Sequence, residues 1–309
     1  MARYFMPGPH DGLLRNIAAW IRTGKRFRPS FPRAVEFQTL STCNAMCIFC
    51  PHSRHPEAIP HGRMDDHLIA KIIAECGRHM VGRVSPYLTN EPLMDKRMPD
   101  ILRAIKKAAR WPVTTKINTN AGLLTEETGE KLLASGLDHL WISVNGYSPE
   151  TYRESMCLDF ERTMANINAF LNMKKKRGIR RPKVVITTLR TKLVERELAD
   201  AAKYWAERDV RFAIHKLDNR AGERETGGIR PENAQCRRKR DCDLFLKQAY
   251  IVENGDMIFC CHDWRQSVVV GNVARTSIAE VWNSERFRTL IYEYHAENFD
   301  NLEICRDCM

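Results

Sequence analysis

Cys43, Cys47 and Cys50, a C-x3-C-x2-C run inside STCNAMCIFCPH, constrain this chain more than any other feature. Three thiolates at that spacing can hold three corners of a cubane iron–sulfur cluster and leave its fourth iron without a protein ligand. An open iron is a place to bind and activate something, so the spacing points to chemistry more than to structure. The run lies just after Val35, Glu36, Phe37, Gln38, Thr39 and Leu40, an apolar stretch that reads as a strand. A strand that feeds a cysteine-bearing loop is how a barrel enzyme presents a cofactor at its C-terminal rim. The plainer alternatives are three unrelated buried thiols or a structural zinc site with His52 as fourth ligand, although C-x3-C-x2-C-x-H is not a standard zinc spacing.

Strand-like and helix-like stretches alternate along the chain. Strands read at 35–40, 83–88, 113–118, 138–144, 183–189 and 210–217, and helices at about 65–80, 97–109, 126–134, 159–177 and 194–207. Alternating β and α units make a parallel sheet, and six strands over this length fit an open, partial barrel. The expected fold class is therefore α/β, a partial (β/α)6 TIM-like barrel. From about residue 236 the pattern changes to cysteines, short strands and turns, a small second module. The expected division is an N-terminal arm over 1–34, a barrel core over 35–235 and a C-terminal cysteine-rich module over 236–309.

No apolar run is long enough to span a bilayer, and no signal-peptide pattern opens the chain. The 11 cysteines are therefore expected in a reducing cytoplasm, where clustered thiols mean metal or catalysis before disulfides. Net charge is +11 and unevenly spread, at +6 over residues 1–34 and −2 over residues 236–309. Lys174–Arg177 with Arg180 and Arg181, and Arg237–Arg240, read as solvated helix ends or loops, with an anionic partner as the sharper alternative. Aromatic residues do not interleave with these runs, which argues against a nucleic-acid groove. Residues 12–27 have a basic amphipathic pattern, expected to form a helix that caps the barrel bottom, with a helix lying on a membrane surface as the alternative.

The triplet, with the aromatic Phe49 before its last cysteine, resembles the defining motif of the radical S-adenosylmethionine (SAM) superfamily. The resemblance covers roughly residues 35–308 and implies a partial barrel in which an open iron chelates SAM. It also implies reductive cleavage of SAM to a 5′-deoxyadenosyl radical, with a reductant such as flavodoxin or ferredoxin as partner. Glu91-Pro92 is similar to the end of the family's Gly-Glu-Pro segment, which binds the SAM ammonium, although Thr89 and Asn90 replace its glycines. Asn118, in Asn118-Thr119-Asn120-Ala121-Gly122, resembles a further SAM contact, as do Ser143 and Asn145 in Ser143-Val144-Asn145-Gly146. Hydroxyl and amide groups at strand ends suit hydrogen bonds to ribose and carboxylate. The same segments could be ordinary turns.

The spacing Cys242-x12-Gly255-x4-Cys260, closed by Cys305-x2-Cys308, is similar to the SPASM and twitch modules that extend radical SAM enzymes. In the short twitch form these four cysteines would hold a second, auxiliary 4Fe–4S cluster. A zinc knuckle could use the same four, and spacing alone does not choose between Cys236 and Cys242 or between Cys260 and Cys261. Cys76 and Cys157, in or beside expected helices, read as buried thiols.

A fully ligated cluster cannot grip substrate, but it can take an electron. The resemblance therefore implies two-electron oxidation or a related radical modification of a small molecule, sugar-like or aminocyclitol-like. Peptide or protein side-chain modification is the alternative, and a non-catalytic two-cluster electron carrier the third reading. His215, Lys216, Asp218 and Arg220, at and after the sixth strand, are candidates for acid–base work at the rim, or braces of that strand end.

Overall fold

Alternate residues of the strands decide which face meets the helices and which meets the barrel interior. The computed structural model describes residues 28–221, 228–229, 242–306 and 308, together with the backbone of 4–5 and 26–27. Strands β1 (Tyr4–Phe5) and β2 (Arg26–Phe27) pair in parallel as a small separate sheet. Residues 26–27 of the helix expected over 12–27 are strand instead, and the rest of that stretch lies outside the described residues.

The barrel strands are β3 (Ala34–Phe37), β4 (Arg83–Ser85), β5 (Thr114–Thr119), β6 (His139–Ser143), β7 (Lys183–Arg190) and β8 (Arg211–Lys216). They lie side by side in chain order and all pair in parallel. Helices Asp66–Arg78, Met98–Ala108, Glu126–Leu133, Pro149–Met156, Phe160–Lys176 and Leu198–Ala206 make the crossovers. Their starts are written into the sequence. Asp65, Thr125, Ser148 and Asp159 each accept a backbone N–H of the first turn, a cap that contributes about 1 kcal/mol.

On β5, Thr115, Ile117 and Thr119 are buried under the helices, while Lys116 and Asn118 face inward and are half-buried. On β6, Leu140 and Ile142 are buried, and Trp141 and Ser143 take the inner face. A parallel sheet covered on both faces is apolar throughout. The polar inner face here follows from the cavity it lines. Below that cavity the interior holds Glu36 against Arg83 at 2.8 Å, and Lys116 3.6 Å from the Trp141 ring centre. Burial, with Arg83 nearby, pulls the Lys116 ammonium down to about 8.

The C-terminal residues continue the same sheet. Strand β9 (Gln248–Ile251) pairs in parallel with β3 on the side away from β4. Strands β10 (Asp256–Ile258) and β11 (Val269–Asn272) then add in antiparallel fashion, giving nine strands in the order β11-β10-β9-β3-β4-β5-β6-β7-β8. Gly255 makes the turn from β9 to β10 with φ 89, and a Cβ there would lie 3.1 Å from Ala274 N. That conformation is open to glycine and strained for other residues. Helices Ile278–Trp282 and Glu285–His295 pack back on the first β/α unit, so Ile72 and Ile73 share one core with Ile278, Trp282 and Phe287.

Lys174–Lys176 form the last turn of Phe160–Lys176, where cations complement the helix dipole. Arg177 and Arg181 pair with Glu130 and Asp138. This is the solvated-helix-end reading of that basic run. Arg237–Arg240 lies outside the described residues.

Candidate active site

The cysteine loop leaves β3 and is pinned from two sides. Met46 N donates to Met156 O (3.2 Å) and Ile48 N to Ser155 O (3.0 Å), so the helix Pro149–Met156 braces the loop from outside. Asn120 Nδ2 donates to Asn44 Oδ1 (2.8 Å) from the turn after β5. The loop then enters the short helix Pro51–Arg54 directly after Cys50. Cys43, Cys47 and Cys50 line one cavity of about 490 Å³ at the C-terminal ends of the strands. Phe49 is buried and lines it as well. Burial pushes the Cys43 thiol up to about 11 and the Cys47 thiol well above its ordinary range. Buried thiols so raised are inert unless a metal takes the proton's place.

The strand ends carry the other expected residues to the same cavity: Glu91, Asn118, Ser143 and Asn145 all line it. Glu91 is 3% exposed, and three groups of this chain donate to it. These are Leu93 N at 3.0 Å, Thr119 Oγ1 at 2.6 Å and Asn120 N at 2.8 Å. Burial still raises its carboxyl to about 7. Asn145 holds the wall together, since its Oδ1 accepts Leu189 N (2.7 Å) and its Nδ2 donates to Met156 Sδ (3.6 Å). Ser143 Oγ lies 3.5 Å from Thr187 Oγ1.

Three polar atoms in the cavity wall are buried without a hydrogen-bond partner: Asn118 Oδ1, Asn90 Nδ2 and Trp264 Nε1. A buried polar atom left unpaired costs about 1–3 kcal/mol. Two of these residues escape a reading of sequence pattern. Asn90 stands out there only for displacing a glycine, and Trp264 carries no signal.

The second cysteine set belongs to the C-terminal residues. Cys242, Cys260 and Cys305 pack against the C-terminal core, and Cys242 N donates to Tyr294 Oη (3.2 Å). Cys260 Sγ accepts His262 N at 3.4 Å, and Cys43 Sγ accepts Ala45 N at 3.5 Å. Backbone N–H groups aimed at sulfur favour a thiolate and fit cluster ligation at both places. The vicinal pair divides: Cys260 joins the core with Cys242 and Cys305, while Cys261 lines the cavity. Cys308 is half-buried at the end of the described chain, and Cys236 lies outside the described residues. Among the described residues no three His, Cys, Asp or Glu side chains are gathered as for a single metal ion. Cys76 is buried as expected, but Cys157 is exposed. It caps the helix Pro149–Met156 in the left-handed conformation, φ 53, which turns it out of the core.

His215, Asp218 and Arg220 reach the cavity from the end of β8, as does Lys216. His215 stacks on Trp141 with ring centres 6.0 Å apart. Asp218 lies 3.6 Å from Arg220 Nε and 3.8 Å from His262 Nε2, so it joins the last barrel strand to the C-terminal residues.

The family model described as radical SAM superfamily matches residues 38–204, over half of the chain. The chain belongs to the radical SAM superfamily. A second model, described as an iron–sulfur cluster-binding domain, matches residues 242–309. This radical SAM enzyme thus takes a 4Fe–4S cluster and SAM, with further iron–sulfur binding in its C-terminal domain. A probable GTP 3′,8-cyclase of Methanosarcina mazei is 32% identical over 116 residues, 36% of this chain and about a third (33%) of that protein. The SAM-dependent 2-deoxy-scyllo-inosamine dehydrogenase of Niallia circulans is 22% identical over 284 residues, 89% of this chain and 91% of that protein. Among solved structures, BtrN in complex with AdoMet and 2-DOIA is similar at a TM-score of 0.59 and 19% identity, covering 89% of this chain and 92% of that one. Streptococcus suis SuiB bound to precursor peptide SuiA is similar at a TM-score of 0.69 and 15% identity, covering 99% of this chain and 77% of that one. These likenesses establish the shared fold. No helix among the described residues is long and apolar enough to cross a membrane.

Proposed function

We propose that this radical SAM enzyme carries out a two-electron oxidation, or a related radical modification, of a small polar molecule of the sugar or aminocyclitol kind. The observation that carries the reading is a single cavity of about 490 Å³ lined by Cys50 of the first set and by Cys261, the chain neighbour of Cys260 in the second. That volume suits a small ligand. The extended likeness to an aminocyclitol dehydrogenase, over 89% of this chain, points the same way.

In this reading Cys43, Cys47 and Cys50 hold the SAM-binding 4Fe–4S cluster, and Cys242, Cys260, Cys305 and Cys308 hold an auxiliary one. The core spans 35–235 and the auxiliary module 236–309. When bound, these groups and SAM supply a 5′-deoxyadenosyl radical and an acceptor for one electron. Glu91 offers its remaining lone pair to the SAM ammonium, and Asn118 its unpaired Oδ1 to a SAM donor. Phe49 packs beneath the cluster loop, and Ser143 and Asn145 shape the wall. His215 and Asp218 stand where a substrate hydroxyl proton could be taken up. The protein works in the cytoplasm with flavodoxin or ferredoxin as reductant, a reducing compartment in which clustered thiols serve metals before disulfides.

A second reading, modification of a peptide side chain, is favoured by β8, the last strand of the sheet among the described residues. Its outer edge could take an added peptide strand. Both readings are tested together. Reconstituted enzyme, SAM and dithionite are incubated with a panel of amino sugars and aminocyclitols, or with cysteine-containing peptides. 5′-Deoxyadenosine formed above the uncoupled rate, with loss of two hydrogens from a panel sugar, is the expected result. Stimulation by peptides alone would move the assignment to the second reading, and no 5′-deoxyadenosine at all would refute both.

A further inference from the structure

Arg220 stands in an unusual backbone. It and Ala221 both adopt the left-handed region, at φ 47 and 61, directly after β8. For residues with a Cβ that conformation costs about 1–2 kcal/mol each, and persists where the surrounding structure enforces it. Here Asp218 Oδ1 accepts Arg220 N at 3.1 Å and lies 3.6 Å from its Nε. The result is a guanidinium in the wall of the cavity that also holds Cys50 and Cys261, with its side chain 39% exposed.

We propose that Arg220 is an electrostatic positioning residue in the cavity wall that Cys50 and Cys261 also line, where its fixed charge favours the reduced state of a cluster at each cysteine site. The proposal rests on the two-cluster reading above. Shared lining supports it: Arg220, Cys50 and Cys261 face the same cavity, and Cys260 adjoins Cys261 in the chain. Cys50 belongs to the first set and Cys260 to the second. A reduced cluster is one electron more negative than an oxidised one, so a nearby fixed cation raises its reduction potential. Arginine suits the task because it keeps its charge at any working pH. Asp218 moderates the charge and, through His262 at 3.8 Å, ties its position to the cysteine-bearing C-terminal segment. The other cations near this wall act differently. Lys216 is exposed, and Lys116 lies below the cavity against Trp141.

The test is an EPR-monitored redox titration of the anaerobically reconstituted enzyme, with iron and sulfide measured on each sample. Arg220→Gln is expected to lower the midpoint of the cluster at Cys43, Cys47 and Cys50, and that of the second cluster by less. Arg220→Lys should restore most of the shift, and Lys131→Gln, a charge loss on an exposed helix far from the cavity, should leave both midpoints in place. Unchanged midpoints in Arg220→Gln at wild-type iron content would overturn the proposal. If Arg220→Gln fails to load iron, Asp218→Asn decides. It leaves the guanidinium without its counter-charge and should raise the midpoints, and an unchanged pair would again overturn the proposal. Failure of the two-cluster reading looks different, as wild-type enzyme with half the expected iron, and the Arg220 effect can still be read at the first site.

Discussion

Replacing Glu91 by Gln tests the SAM pocket at its most constrained atom. The carboxylate already accepts from Leu93 N, Thr119 Oγ1 and Asn120 N. An ionised carboxylate offers about four acceptor positions, so one is left for the ammonium of SAM. A hydrogen bond to a charged partner contributes about 1.5–3 kcal/mol. Its loss should weaken SAM binding by roughly 10- to 150-fold. The fold itself should survive the change. Burial raises the Glu91 carboxyl from 4.5 to about 7, so above pH 7 the ionised group costs the fold roughly 3 kcal/mol. Glutamine does not bear that cost, but its amide turns one donor–acceptor contact into a donor–donor one, at about 1–3 kcal/mol. The two effects oppose each other, and the thermal midpoint should move little. Equilibrium dialysis of SAM against reconstituted wild type and Glu91→Gln, at matched iron content, measures the binding loss. An affinity within about twofold of wild type would show that the ammonium is held elsewhere.

Three other measurements probe the same geometry. Reconstituted wild type should hold about eight irons, falling to about four in Cys43/Cys47/Cys50→Ala and in Cys242/Cys260/Cys305/Cys308→Ala, while Cys261→Ala keeps all eight; iron loss in Cys261→Ala would make it a ligand. Lys116→Met should raise the thermal midpoint at pH 7, since the charged form costs roughly 3 kcal/mol against about 1–2 for the lost ring contact. The folded pKa of about 8 is below the unfolded one, so that cost is full below pH 8 and fades as pH rises toward 10.5; an advantage that did not shrink by pH 10 would disprove this. Gly146→Ala puts a Cβ 2.5 Å from Tyr152 N, a backbone atom of the helix bracing the cysteine loop, and should destabilise the protein by about 1–3 kcal/mol, read as a lowered midpoint.

The legible parts of the fold are those with a local cause. Strand and helix periods are written in neighbouring residues, so all six barrel strands and their main helices appear close to the expected places. Where ends differ, the cause is also local. The strand expected over 83–88 stops at Ser85 because Pro86 has no N–H to give the ladder. The helix expected from 194 begins at Leu198, after Glu197 has turned its carboxylate to Tyr147 N and Thr151 Oγ1. The helix Pro149–Met156 is absent from the expected elements although Ser148-Pro149-Glu150 is a start signal, with a capping serine and proline in the first turn. The division of Cys260 from Cys261 depends on packing against a core drawn from distant parts of the chain, which no spacing rule contains.

The least legible element is also the one that makes the cavity an active site. Nothing in the β9 sequence says that it pairs with β3, more than two hundred residues earlier. Yet that pairing fixes the two cysteine-bearing segments relative to each other. Gln38, five residues before Cys43, continues it: its backbone N–H donates to Ile251 O at 2.8 Å. Its side chain donates to Glu253 Oε2 at 2.8 Å and accepts Thr89 Oγ1 at 2.6 Å. Gln38 is fully buried, so these bonds have no water to compete with them. One side chain thus ties together the strand that carries the first cysteines, the loop that carries Glu91, and the turn that leads to Cys260. Electron transfer weakens steeply with distance, and a module hung on a flexible linker would leave that distance unset. Here a strand ladder and a buried amide hold the C-terminal segment in a fixed place against the strand that leads to the first cysteines.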